Sequence, residues 1–162
     1  MTISVGDRLP KETLLRMGEN GPEEVALGPL VEGRKVVIFG LPGAFTGTCH
    51  NAHLPSFIRT REAFAAKGVD AVICVSVNDP FVMQAWDQAT GAGDAGITML
   101  ADSGAALTKA MGLDFTAPPA GLYDRSQRYA LLAENGEVKV IQVEDSPGEC
   151  TVSAGEALLE KL

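Results

Sequence analysis

The run Val36-Val37-Ile38-Phe39 sets four apolar residues, three of them β-branched, between a charged segment and the turn signal Gly40-Leu41-Pro42-Gly43. A strand this short and uniformly apolar is covered on both faces, so the chain must supply one layer above it and another below. The next segment has helical spacing: Leu54, Phe57, Ile58, Phe64 and Ala65 recur on one face between about Thr46 and Lys67, and Gly68 closes the pattern. Pro55 is expected to kink that helix or restart it.

The rhythm then repeats. Ala71 to Val77 reads as a second buried strand, and Asp79-Pro80 supplies an N-cap and a first-turn proline for a helix running through Trp86. Ile97 to Leu100 reads as a third strand, Ser103 to Met111 as a helix stopped by Gly112, and residues 113 to 126 as loop. Tyr129 to Ala133 and Val138 to Val143 flank Asn135-Gly136, the favoured pair for a type I′ hairpin, so these two strands should be antiparallel neighbours. Ser153-Ala154-Gly155-Glu156 has capping-box spacing ahead of a short terminal helix. Parallel βαβ units, a hairpin and a closing helix predict an α/β, thioredoxin-like fold: one domain over residues 1–162, with a central mixed β-sheet flanked by helices.

Composition narrows the partners. A formal net charge of −8, with no dense basic run, opposes binding to nucleic-acid phosphates. No apolar run approaches the roughly 20 residues that span a bilayer, so no membrane partner is expected. MTISVGDRLP lacks the basic and apolar regions of a secretory leader, and a cytoplasmic location is expected. Three cysteines cannot all pair within one molecule, which points to catalytic or redox use rather than a static disulfide framework.

The chemistry concentrates in Gly40 to Pro55, where Cys49 falls just after a strand, at the first turn of a helix. Unpaired backbone N–H groups and the positive end of the helix dipole stabilise a thiolate there, and the thiolate is the nucleophilic form. Thr46, three residues earlier, can aim its hydroxyl at the sulfur or at a peroxide oxygen, while Pro42 can fix the turn and shield the sulfur. A peroxide O–O bond breaks when sulfur attacks one oxygen while donors stabilise charge growing on the other. Rival readings exist for the same residues. Cys49 has a reading as a buried structural thiol. Cys49, His50 and His53 suggest a metal site but leave it without a fourth ligand, so His53 is better read as a hydrogen-bonded structural residue at the edge of the site. The lack of Cys-x-x-Cys argues against a thioredoxin-type disulfide reductase. Val82 and Trp86 share a helical face and are read as core or subunit packing, while Phe45, Phe115 and Pro118-Pro119 are placed against either the pocket or a dimer contact.

Pro42-x-x-x-Thr46-x-x-Cys49 resembles the active-site motif of peroxiredoxins. Pro-Gly-Ala-Phe-Thr…Cys…His-Leu-Pro is similar to the type II branch, which includes peroxiredoxin five, as are the block from Cys74 through Asn78-Asp79-Pro80-Phe81 to Val82 and the later Arg128-Tyr129-Ala130. The resemblance implies Cys49 as the peroxidatic cysteine, Thr46 as its hydroxyl partner, Pro42 as the shielding proline and Arg128 as the guanidinium at the site; charge alone would equally allow Arg125, Arg59 or Arg61. Gly47 departs from the branch, where many relatives carry proline, and a looser first turn is expected. The resemblance further implies reduction of hydrogen peroxide and small organic hydroperoxides, no cofactor or metal, and a homodimer. It sets Cys150 as the resolving cysteine ahead of Cys74 or an external thiol, with thioredoxin, or glutaredoxin and glutathione, as reductant. A different class of function, a peroxide-sensing redox switch or holdase without turnover, is compatible with the same cysteine.

Overall fold

The computed structural model describes all of residues 1–162. In chain order it contains β1 (Thr13–Gly18), β2 (Gly21–Ala26), α1 (Leu27–Val31), β3 (Lys35–Leu41), a π-helical turn (Cys49–His53), α2 (Leu54–Ala66), β4 (Ala71–Ser76) and α3 (Pro80–Thr90). These are followed by β5 (Ile97–Ala101), α4 (Ala106–Ala110), β6 (Asp114–Ala117), β7 (Leu122–Ser126), β8 (Tyr129–Glu134), β9 (Glu137–Val143) and α5 (Gly155–Leu159). Seven strands form one sheet in the order β2-β1-β5-β4-β3-β8-β9. β3, β4 and β5 are parallel, and every other pairing is antiparallel, so the sheet is mixed as expected.

The period of two in the central strands builds the layers. Val37, Phe39 and Leu41 of β3 enter one apolar cluster with Phe57 and Phe64 of α2, Met83 and Trp86 of α3, and Leu158 of α5. Val36 and Ile38 enter the opposite cluster with Leu27 and Val31 of α1 and Leu107 of α4. The two parallel crossovers step the same way across the sheet, and their right-handedness sets α2 and α3 on one side. Asp79 caps α3, its carboxylate accepting the Val82 N–H at 2.8 Å. Asn135 and Gly136 both have positive φ, 50° and 78°, as a type I′ hairpin requires.

Several expectations need correction. Residues 113 to 126 are not plain loop: β6 and β7 pair as a separate two-stranded hairpin. Their sequences, DFTA and LYDRS, lack a clean apolar alternation, and the intervening Pro118-Pro119 reads locally as a breaker. The polar opening of the chain holds another hairpin, β1 with β2, whose outer strand GPEEVA carries the proline and charges typical of a sheet edge. Ser153 and Glu156 do not form a capping box, since Ala154 occupies the N-cap and the Ser153 hydroxyl donates to Glu144 instead. Pro55, by contrast, marks a restart as expected, standing in the first turn of α2 directly after the π turn. It has no N–H to offer four residues back, and the neighbouring Leu54 N–H reaches five residues back to the Cys49 carbonyl, which widens the turn around the cysteine.

β3 and β8 meet face to face at Gly40 and Tyr129. A Cβ on Gly40 would overlap the Tyr129 ring, so the buried tyrosine lies across the glycine backbone. Gly40→Ala is expected to destabilise the fold by about 1–3 kcal/mol through overpacking. Urea unfolding measures this, and an unchanged midpoint would show that the ring can move aside.

Candidate active site

The end of β3 delivers Pro42, Gly43 and Ala44 as a buried turn. Asn78, just past β4, pins this turn: its Oδ1 accepts the Ala44 N–H at 3.0 Å and the Ser76 hydroxyl at 2.5 Å. Phe45 follows with φ 63°, a left-handed conformation that a bulky side chain adopts only under constraint. The Thr46 hydroxyl donates to the Gly43 carbonyl at 2.7 Å, leaving the oxygen lone pairs of Thr46 to accept. Cys49 then opens the π turn, fully buried.

Arg128, one residue ahead of β8, is 2% exposed and directs its fork at four acceptor contacts. Nη2 lies 3.1 Å from Cys49 Sγ. Nη1 lies 3.1 Å from His53 Nδ1, while Nε and Nη2 donate to the Pro147 carbonyl at 3.2 and 2.9 Å. None of the ion pairs of the chain includes this arginine. The buried guanidinium has no carboxylate against it; what it touches is a carbonyl, an imidazole nitrogen and the sulfur of Cys49.

His53 stands between Arg128 and the segment before α5. Its Nε2 lies 3.0 Å from the Ser153 carbonyl, which fixes the proton on Nε2 and leaves Nδ1 to accept from Arg128. Burial, with the charge of Arg128 in support, pushes its pKa down to about 3 against the smaller opposing pull of Ser153. His53 therefore lies at the centre of the site and not at its edge. That placement follows from the chain folding back over the cysteine near Ser153, and helical spacing gives no sign of it.

The loop between β9 and α5 is held from three sides. Glu144 donates its backbone N–H to the Arg128 carbonyl at 2.9 Å. Its carboxylate accepts from Thr151 N and Oγ1 at 2.7 and 3.0 Å and from Ser153 N and Oγ at 2.8 and 2.6 Å. Burial raises the Glu144 carboxyl, but these bonds outweigh it and leave the group below its ordinary pKa. Thr48, just before the cysteine, donates its hydroxyl to the Gly148 carbonyl at 2.9 Å. Glu144 and Asn78 carry no local motif that assigns them these roles.

Cys49, Cys74 and Cys150 are free thiols. Cys74 is buried in β4 on the same face as Cys49, and burial, reinforced by Cys49, pushes its pKa well up. Cys150 is half-buried in the clamped loop; burial raises its thiol, and Arg128 lies close enough to pull partly the other way. Of the competing arginines, Arg125 donates to the Pro42 carbonyl at 3.0 Å, Arg59 pairs with Glu156, and Arg61 donates to Gly96. Trp86 is fully buried in the core, and its Nε1–H donates to His50 Nδ1 at 2.9 Å.

Residues 4–159 match the Redoxin family model. The chain is 48% identical to peroxiredoxin-2E-2, chloroplastic, of Oryza sativa subsp. japonica, covering 99% of this chain and 73% of that protein. It is 45% identical to peroxiredoxin-2C of the same organism, covering 99% and 98% of the two chains. The crystal structure of reduced Prx3 from Vibrio vulnificus in complex with hydrogen peroxide superposes with a TM-score of 0.90 at 45% identity, covering 99% of each chain.

A histidine held neutral in the fold ties stability to pH. With a folded pKa of about 3 against 6.5 when unfolded, His53 binds its proton more readily in the unfolded chain, so its contribution is complete above pH 6.5 and falls as pH drops toward 3. Urea midpoints of the native chain should decline from pH 6.5 to about 5, above the carboxylate range, and His53→Leu should flatten that slope. Equal slopes in the two proteins would contradict a buried neutral histidine.

Proposed function

Because the chain belongs to the redoxin family as a type II peroxiredoxin, a thiol-dependent peroxidase, we propose that its reaction runs through Cys49 with Thr46, Arg128 and Pro42 around it. The carrying observation is the 3.1 Å contact from a buried, carboxylate-free Arg128 to Cys49 Sγ. The Cys49 thiolate attacks one oxygen of the peroxide and the O–O bond breaks. Sulfur keeps the oxygen it attacks and becomes a sulfenic acid, and the other oxygen departs as hydroxide or alkoxide and takes a proton to become water or alcohol. Arg128 stabilises the thiolate and the charge moving along the S–O–O line. The Thr46 oxygen, whose own proton is engaged by Gly43, offers an acceptor to the peroxide O–H. Pro42, buried at the turn, limits water at the sulfur. Hydrogen peroxide and small organic hydroperoxides are the proposed substrates, and a thiolate needs no metal, haem or flavin for this step.

For the reset, the proposal is a Cys49–Cys150 disulfide within one chain, reduced by thioredoxin, with glutaredoxin or glutathione acting on a Cys49 mixed disulfide as the second route. Supporting Cys150 over Cys74 are its half-exposed position in a loop tied to the site by Thr48 and Arg128, and the inert, strand-locked thiol of Cys74. A disulfide needs Cα atoms within about 7 Å, so opening of the π turn and release of the loop belong to the same proposal. The chain is further proposed to form a homodimer, for which exposed Phe45, Phe81 and Tyr123 offer apolar area, and to work in the cytoplasm, where three free thiols stay reduced.

With thioredoxin and its reductase in metal-free buffer, the native chain should consume many equivalents of hydrogen peroxide and Cys49→Ser none. Consumption that stops near one equivalent would favour a redox switch over turnover, and retained activity in Cys49→Ser would remove Cys49 from the mechanism. Peptide mapping after one equivalent of peroxide should find Cys49 joined to Cys150; a Cys49–Cys74 link, or undiminished thioredoxin-supported turnover by Cys150→Ser, would reassign the resolving thiol.

A further inference from the structure

Glu144 belongs to a closed ring of hydrogen bonds that returns to Arg128 by three routes. Its backbone N–H is bonded to the Arg128 carbonyl, just beyond the paired ends of β8 and β9, so the carboxylate is carried on the residue bonded to the arginine itself. That carboxylate takes both N–H and both hydroxyl donors of Thr151 and Ser153. Ser153 in turn offers its carbonyl to His53 Nε2, and His53 Nδ1 accepts from Arg128 Nη1. On the other side, the loop that Glu144 closes presents the Pro147 carbonyl to Nε and Nη2 of the same guanidinium. The fork that reaches Cys49 is therefore aimed by two neutral acceptors: the Pro147 carbonyl, on the segment that Glu144 gathers, and His53, on the π turn, which that segment holds through the Ser153 carbonyl. Cys150 lies in that segment, between Pro147 and Thr151, and is half-buried while the clamp is closed.

We propose that Glu144 is a positioning residue that aims Arg128 at Cys49 by closing the Cys150 loop, so that one clamp promotes attack on peroxide and restrains release of Cys150. The two effects are opposed: a tighter clamp sharpens the first step and slows the exposure of the second thiol. This inference rests on Cys49 being the peroxide-reactive residue, but it does not require Cys150 to be the resolving one.

Glu144→Gln tests it, since glutamine keeps the shape, loses the charge and turns an N–H₂ donor toward a cluster of donors. Two rates are read on the reduced protein: the second-order oxidation of Cys49 by hydrogen peroxide, and the labelling of Cys150 by N-ethylmaleimide followed by peptide mass. The expected result is a peroxide rate about tenfold lower and Cys150 labelling about tenfold faster, in line with the loss of charge-assisted bonds. Ser153→Ala, which removes the 2.6 Å hydroxyl bond to Glu144, should lower the peroxide rate and raise Cys150 labelling by smaller factors and serves if Glu144→Gln does not fold. Because a general loss of structure would shift the two rates in these same directions, labelling of Cys74, fully buried in β4, is followed beside them and should stay slow in the variant. An unchanged rate in either arm, or a fall in both, would overturn the proposal. A native chain whose Cys49 is inert to peroxide would instead remove the reading on which the proposal stands, with the Cys150 arm still reporting whether Glu144 holds the loop.

Discussion

The guanidinium of Arg128 is buried with no carboxylate against it, and the rest of the site is arranged around that fact. A paired arginine would have its charge answered inside the protein and would offer little to a neighbouring thiol. Here the charge meets a carbonyl, a neutral imidazole and a sulfur. The carbonyl and imidazole orient the fork without neutralising it, and His53 can serve only because it is kept uncharged in a site that already contains a cation. In the proposed reaction a Cys49 thiolate supplies the missing counter-charge, and that thiolate is the nucleophile.

The fold holds these two groups at hydrogen-bonding distance although 79 residues separate them in the chain. Cys49 comes from the crossover between β3 and β4, and Arg128 from the approach to β8, which pairs with β3 on its other edge. The Gly40–Tyr129 contact fixes the register of β3 against β8 one residue from Arg128. Because side chains alternate along a strand, the tyrosine fills the core on one face while the preceding arginine turns to the other, where α2 and the π turn carry Cys49 and His53. A register slip of one residue would put the arginine in the wrong layer. The Gly155 contact closes the other side: its N–H donates to Ser56 Oγ at 2.9 Å, and a Cβ there would strike α2, so α5 and the preceding Ser153 carbonyl stay tight against His53.

Much of this was legible in the sequence where chemistry is local. The β3 run, the Asp79 cap, the Asn135-Gly136 hairpin and the cysteine at a helix start each depend on neighbours a few residues away, and each is found as read. Hairpins β1–β2 and β6–β7 were not, because their strands lack apolar alternation and are ordered by pairing. The contact of His53 with Arg128 was not legible for a related reason: its partners lie 75 and 100 residues away. Glu144 gives no signal at all in a one-dimensional pattern, since an acidic residue after a strand reads as surface until the loop folds back onto it. Among the arginines, charge could not choose; the resemblance singled out Arg128, and the geometry sets it against the sulfur while Arg125 touches only the turn at Pro42.

The most direct measurement is the second-order rate of Cys49 oxidation by hydrogen peroxide in Arg128→Ala, followed by stopped-flow fluorescence of Trp86, the one tryptophan, which is bonded to the residue after the cysteine. If an unpaired buried guanidinium is what makes the thiol reactive, the rate should fall by about 10²–10³ while the variant remains folded, the loss expected when a charge-stabilising donor is removed from such a site. A folded Arg128→Ala protein that reacts with peroxide at the native rate would contradict that dependence and return the source of reactivity to the helix turn alone.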